Sequence, residues 1–202
     1  MGAYAPLRVS PPGDTVVMLV NTEQHADLRD PAITLFTDLR VSPSVVVPAG
    51  EPLPATLRLM QHAGVRMAFV SDPRGGICGL VTAADLQGER PMLVAQARGV
   101  GHHDLSVAEV MTPASQWVTI DADHLHHAEV GDIVATFLAC GARYLIVTEI
   151  VRDSSGLLNN LPRTMVRGLY SANRVERALG HPIGEEIRSR SFADLAAALA
   201  HS

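Results

Sequence analysis

The apolar positions of this chain fall into short runs punctuated by glycine and proline. Met67-Ala68-Phe69-Val70 and Ile77-Cys78-Gly79-Leu80-Val81 flank the polar interval Ser71-Asp72-Pro73-Arg74-Gly75-Gly76. That spacing predicts a hairpin, because proline presets φ and glycine accepts φ > 0. Thr82 then caps a helix that includes Asp85. Upstream, Leu53, Leu57, Met60 and Gly64 form a helical stripe with a glycine stop, and Pro52 and Pro54 stand at its start, where a missing N–H does little harm. The same order returns further on. Val134, Phe137 and Leu138 lead to Gly141, then to the strand Arg143-Tyr144-Leu145-Ile146-Val147. A second strand-to-helix junction follows at Gly168-Leu169-Tyr170-Ser171-Ala172-Asn173-Arg174.

Aligned without gaps, Gly64 falls on Gly141, Arg66 on Arg143 and Val70 on Val147. Phe36-Thr37-Asp38 and Val110-Met111-Thr112-Pro113 lead into the β-rich runs Val45-Val46-Val47 and Trp117-Val118-Thr119-Ile120. The chain is therefore two copies of one supersecondary unit. After Asp85 the run Leu86-Gln87-Gly88-Glu89-Arg90-Pro91 breaks the helix early, and 92–97 can resume it. The second copy departs from the first twice. Residues 121–130 insert an Asp- and His-rich loop. A connection from Glu149 to Thr164, marked by Asp153-Ser154-Ser155-Gly156 and Asn159-Asn160, replaces the tight turn and reads as exposed and mobile. Ser106 and Glu109 form a capping box before the second lead-in. Residues 1–14 read as a flexible lead-in and Thr15–Val20 as a short strand, while 21–32 are polar and suggest no role. At the other end, Ser191 and Asp194 cap a helix bearing Phe192, Leu195 and Leu199.

Composition narrows the function. Hydrophobic residues make up 47% of the 202 but aromatic ones only 4%, so the core is aliphatic. A net charge of −5 with scattered basic residues argues against duplex nucleic acid, whose binding rests on clustered cations. No run reaches the ~18 apolar residues of a membrane span. The N-terminus shows no secretory pattern. Cys78 and Cys140 have no metal-ligand spacing and read as buried thiols of a reducing compartment, so a cytoplasmic location is expected.

The lead-in with Met111-Thr112-Pro113, the glycine-bounded helix, the Val70-Ser71-Asp72 turn and the ending Gly79-Leu80-Val81-Thr82-x-x-Asp85, present twice in order, resemble a tandem pair of CBS domains, a Bateman module. The resemblance covers roughly residues 33–180. It implies an α/β (α+β) fold of two β-α-β-β-α units, their small sheets packed around a pseudo-twofold axis. The divisions expected are an N-terminal extension over 1–32, CBS domains over 33–100 and 101–180, and a C-terminal helix over 181–202. It further implies two clefts that take AMP, ADP, ATP or S-adenosylmethionine, a homodimer, and output through an unknown effector protein.

Several residues carry that expectation, each against a plainer reading. Thr82 and Asp85 match the family's ribose-binding pair, since a carboxylate can accept two hydrogen bonds from a cis-diol. The same spacing is a helix cap. Ser171 and Arg174 occupy the matching places in the second copy: Ser171 keeps the cap, and a cation replaces the acid. Arg174 aims either at a phosphate or at water. Arg66 and Arg143 sit where family members hold phosphate, a task that suits the guanidinium fork, or else they cover a sheet edge. Val46, with Val45 and Val47, lies where the family lines its adenine slot. His124, His126 and His127 with Asp121 and Asp123 fit no strong metal motif and read better as a solvated loop; His102-His103 reads the same way. No nucleophile–base constellation, P-loop or zinc signature occurs. The expected function is a non-catalytic, ligand-sensing CBS pair. The alternative is a ligand-free homodimeric interaction or scaffold module.

Overall fold

Both copies form the predicted helix, hairpin and helix. The protein is described here by a computed structural model covering residues 25–152 and 162–183. In the first copy, β2 (Val46–Pro48) precedes α1 (Leu53–Ala63), and β3 (Met67–Ser71) and β4 (Ile77–Thr82) form the hairpin. The helices α2 (Ala83–Gln87) and α3 (Glu89–Arg98) follow. In the second, β6 (Val118–Asp121), α4 (Val130–Cys140), β7 (Tyr144–Arg152), β8 (Pro162–Ser171) and α5 (Ala172–Leu179) repeat that order. Gly64 and Gly141 end α1 and α4 in the left-handed region, at φ 67° and 63°, where a side chain would be strained. The hairpin turn is closed by Asp72, whose Oδ1 accepts from Arg74 N–H and Gly76 N–H at 2.8 and 2.9 Å.

The two lead-in strands cross over. β1 (Thr37–Asp38) pairs with β8, and β5 (Thr112–Pro113) pairs with β4, so the sheets run β2-β3-β4-β5 and β1-β8-β7-β6. Each sheet thus takes its edge strand from the other copy's lead-in, and the hydrogen bonding crosses the repeat boundary. The flanking residues go with their strand. Leu28, Ala32, Leu35 and Phe36 are buried in the second copy's core; Ala32 N–H donates to Ala128 O, and Val130 N–H to Asp30 O, both at 2.8 Å. Residues 25–32, which suggested no role in sequence, and the lead-in residues 33–36 therefore roof the second unit. In return Leu105, Val107 and Val110 are buried in the first core. Gly79 and Gly168 permit the crossings. A Cβ on Gly79 would lie 2.5 Å from Met111 Sδ, and one on Gly168 would overlap the Phe36 ring and the Thr37 carbonyl oxygen.

A third cluster joins the sheets: Phe69 and Leu80 from one, Ile146 and Leu169 from the other, flanked by Met67, Trp117 and Tyr144. Full burial of each such side chain stabilises by about 1.5–3 kcal/mol.

Three expectations are corrected. The connection is shorter than the expected Glu149–Thr164, since 149–152 and 162–164 at its two ends are strand, β7 and β8 staying paired as far as Arg152↔Pro162. β-branched Thr148, Ile150, Val151, Thr164 and Val166 suit the pleat, and an Arg167–Glu149 ion pair at 3.5 Å spans the strands. The cysteines are not buried: Cys78 is half-buried, and Cys140 is exposed at the last turn of α4. Ser171 occupies the N-cap of α5, but its side chain makes no capping bond. With Arg174 at the third helical position, no acid is there to complete the box. The predicted strand over 15–20, the core of the 153–161 loop and the helix expected from 191 lie outside the described residues.

Candidate functional site: two clefts between the repeats

Where the two units meet, residues from both line two clefts of about 490 Å³ each, within the range of small-molecule sites. The crossed strands create them, because each cleft needs the end of one unit's hairpin and the lead-in of the other.

The first cleft joins Thr82 and Asp85 to Arg143, Tyr144, Trp117 and Val118, with Arg66 and Asn173 also on its wall. Thr82 and Asp85 form a complete capping box. Asp85 Oδ2 accepts from Thr82 N–H at 2.8 Å and from the Thr82 hydroxyl at 2.7 Å, and Thr82 Oγ1 accepts from Asp85 N–H at 3.1 Å. The cap occupies only Oδ2. Among the described residues Oδ1 makes no hydrogen bond, so the half-buried carboxylate, which lines the cleft, keeps a spare acceptor. Arg143 Nη2 donates to Asn173 Oδ1 at 2.9 Å. Tyr144 is pushed above the ordinary phenol value, first by burial and then by the Asp85 carboxylate, while Arg143 and Arg66 pull it down. These opposed influences mark Asp85, Arg66 and Arg143 as neighbours around one phenol. Trp117, which sequence reading did not assign to the site, stands edge-on to Phe69, centroids 6.0 Å apart, with its Nε1 donating to Thr112 O at 3.3 Å. It is the chain's single tryptophan, and its place just before a lead-in β-run was the available signal.

The second cleft is the pseudo-symmetric counterpart. Ser171 and Arg174 replace Thr82 and Asp85, Arg66 replaces Arg143, and Ser44 replaces Trp117. Arg174 Nη1 donates to the Thr37 hydroxyl at 3.2 Å. Arg177, also unassigned from sequence, joins this wall. Arg66, Tyr144 and Asn173 line both clefts.

Two sequence candidates lie elsewhere. Val46 lines neither cleft and is 54% exposed; Ser44, two residues earlier, reaches the second cleft in its stead. His124, His126 and His127 are exposed in and beside the 3-10 turn Ala122–His126. Among the described residues no group of three or more His, Cys, Asp or Glu could hold a metal ion, and no helix is long and apolar enough to cross a membrane.

No protein-family model and no curated protein matches the chain. Solved structures similar to it include an uncharacterized conserved protein from Pyrococcus horikoshii, at 15% identity over 75% of this chain and 93% of that one, TM-score 0.49. CBSX2 in complex with AMP is 19% identical over 74% of this chain and 95% of that one, TM-score 0.46. The CBS-pair protein CBSX2 from Arabidopsis thaliana is 18% identical over 74% and 93%, TM-score 0.45. In fold this chain resembles a CBS pair. Two β-α-β-β-α units with two clefts between them are what the resemblance in sequence implies; the reciprocal pairing of the lead-in strands is shown by the fold.

Proposed function

We propose that the first cleft binds an adenine nucleotide or a related adenosyl ligand, and that the protein is a non-catalytic sensor of it. One observation carries the reading. The cleft brings Asp85, with one free carboxylate oxygen, together with the guanidinium groups of Arg143 and Arg66 and the half-buried ring of Trp117, although these residues come from different elements of both units. Asp85 Oδ1 takes the ribose diol, with Thr82 holding the carboxylate in place. Arg143 and Arg66 take phosphate through charge-assisted hydrogen bonds. Trp117 and Val118 offer the apolar surface for the base. Because both units line the cleft, a ligand filling it favours one arrangement of the units over others, and that differential affinity is what a switch requires. Output then passes through homodimer contacts or a partner protein.

A ligand-free scaffold is the second reading. It is favoured by the fact that Thr82 and Asp85 already satisfy each other as a helix cap.

Thermal unfolding of the protein with AMP, ADP, ATP and S-adenosylmethionine, beside Asp85→Ala, separates the two. A ligand at 100 times its Kd adds about 2.7 kcal/mol, a rise of several degrees. A rise with one ligand, absent in Asp85→Ala, is expected. No rise with any of them at millimolar concentration would reduce Thr82 and Asp85 to capping residues.

A further inference from the structure

The two clefts match in volume but differ in charge. We propose that the second is a site for a small phosphate-type polyanion without a nucleoside, such as pyrophosphate or tripolyphosphate. The chain is acidic overall at −5. Yet this cleft is lined by Arg66, Arg174 and Arg177, and by no carboxylate among its described lining residues. The first cleft sets Asp85 against Arg66 and Arg143. The arginine ion pairs of the described residues involve Arg40, Arg98 and Arg167, so the three cleft arginines have no acid partner there. Glu176, the acid on the same helix, faces an adjoining depression and accepts from Ile183 N–H at 3.2 Å.

Three guanidinium groups around one hollow repel one another until an anion enters, and their forked donors fit phosphate oxygens. Among the described residues Arg174 is held by the neutral Thr37 hydroxyl alone, which gives up little when a phosphate oxygen takes over that N–H. The uncommitted Ser171 hydroxyl supplies a further donor. What is missing is the diol acceptor: the position that is Asp85 in the first cleft is Arg174 here, and Ser44 stands where the first cleft has Trp117. Space for a nucleoside remains, but the carboxylate that would take its ribose diol does not.

The test is calorimetric titration of the full chain with tripolyphosphate at constant ionic strength, in parallel with AMP. Tripolyphosphate is expected to bind one-to-one, to weaken by about tenfold or more in Arg174→Gln/Arg177→Gln, and to bind Asp85→Ala as it binds the unaltered chain. AMP is expected to bind the arginine variant and to lose affinity in Asp85→Ala. Should the double variant fold poorly, Arg177→Gln alone, at an exposed position, gives the same comparison. The proposal is overturned if tripolyphosphate gives no binding, if it binds the arginine variants unchanged, or if AMP binding depends on Arg174 and Arg177, which would make the anion a nucleotide's own phosphate. Failure of AMP to bind anywhere would overturn the nucleotide reading of the first cleft and leave this one standing.

Discussion

At the residue scale, the proposed role of Asp85 in binding ligand need not compete with its helix cap. A carboxylate has two oxygens, and the capping box uses one. Tyr170 is the other instructive residue. It is fully buried against Phe36, ring centroids 5.5 Å apart, and donates its hydroxyl to Ala32 O at 3.1 Å. Burial pushes its phenol up to about 12 from the ordinary 10.0. The fold therefore keeps a proton that the unfolded chain loses above pH 10. The associated stability is fully present below pH 10 and falls as pH rises toward 12, by up to about 1.4 kcal/mol per pH unit. All sixteen basic residues are arginine, which stays protonated through this range, so no lysine clouds the measurement. Denaturant melts across that window should show a shallower alkaline decline in Tyr170→Phe. Equal slopes in the two proteins would sink the assignment.

At the element scale, the crossed edge strands depend on two glycines at matching positions of β4 and β8. The Phe36 ring and the Thr37 carbonyl oxygen occupy the space over Gly168. Gly168→Ala has to push β1 away, and because part of the obstacle is backbone, relaxation is limited. A loss of about 2 kcal/mol or more is expected, with the melting temperature of Gly168→Ala as the readout. A near-neutral result would mean that β1 is not held against β8. The short pairing Thr37↔Leu169 and Asp38↔Gly168 is reinforced by Arg167, which pairs with Asp38 and lies over the Phe36 ring at 5.7 Å.

At the scale of the whole molecule, Arg66 belongs to both clefts. On the two proposals above, its guanidinium cannot serve two phosphate ligands fully at once, and the clefts are expected to be coupled. Arg66→Gln should weaken both AMP and tripolyphosphate, whereas Arg143→Gln should weaken AMP alone. In the unaltered chain, saturating tripolyphosphate should lower the affinity for AMP, and AMP should lower that for tripolyphosphate by the same factor, as linkage requires. Titrations of each ligand in the presence of the other decide the matter; independent affinities would show that the shared wall transmits nothing.

The repeat, both hairpins, the glycine stops and the Thr82–Asp85 cap were legible in the sequence because each depends on residues close together in the chain: glycine at positive φ, a hydroxyl three positions before an acid, apolar side chains at helical spacing. The partners of the lead-in strands were not legible. Thr37-Asp38 and Thr112-Pro113 are too short to carry a pairing preference, and only burial of Leu28, Phe36, Val107 and Val110 in the opposite core sends each across. The same crossing composes the clefts. Sequence named Asp85, Arg66, Arg143 and Arg174 as separate candidates; Trp117 and Arg177, which it did not name, line the cleft walls, and Val46 lines neither cleft. Which cation shares a wall with which acid depends on how the two units pack, through Phe69, Leu80, Ile146 and Leu169. Local chemistry wrote the elements; long-range burial decided which of them face one another.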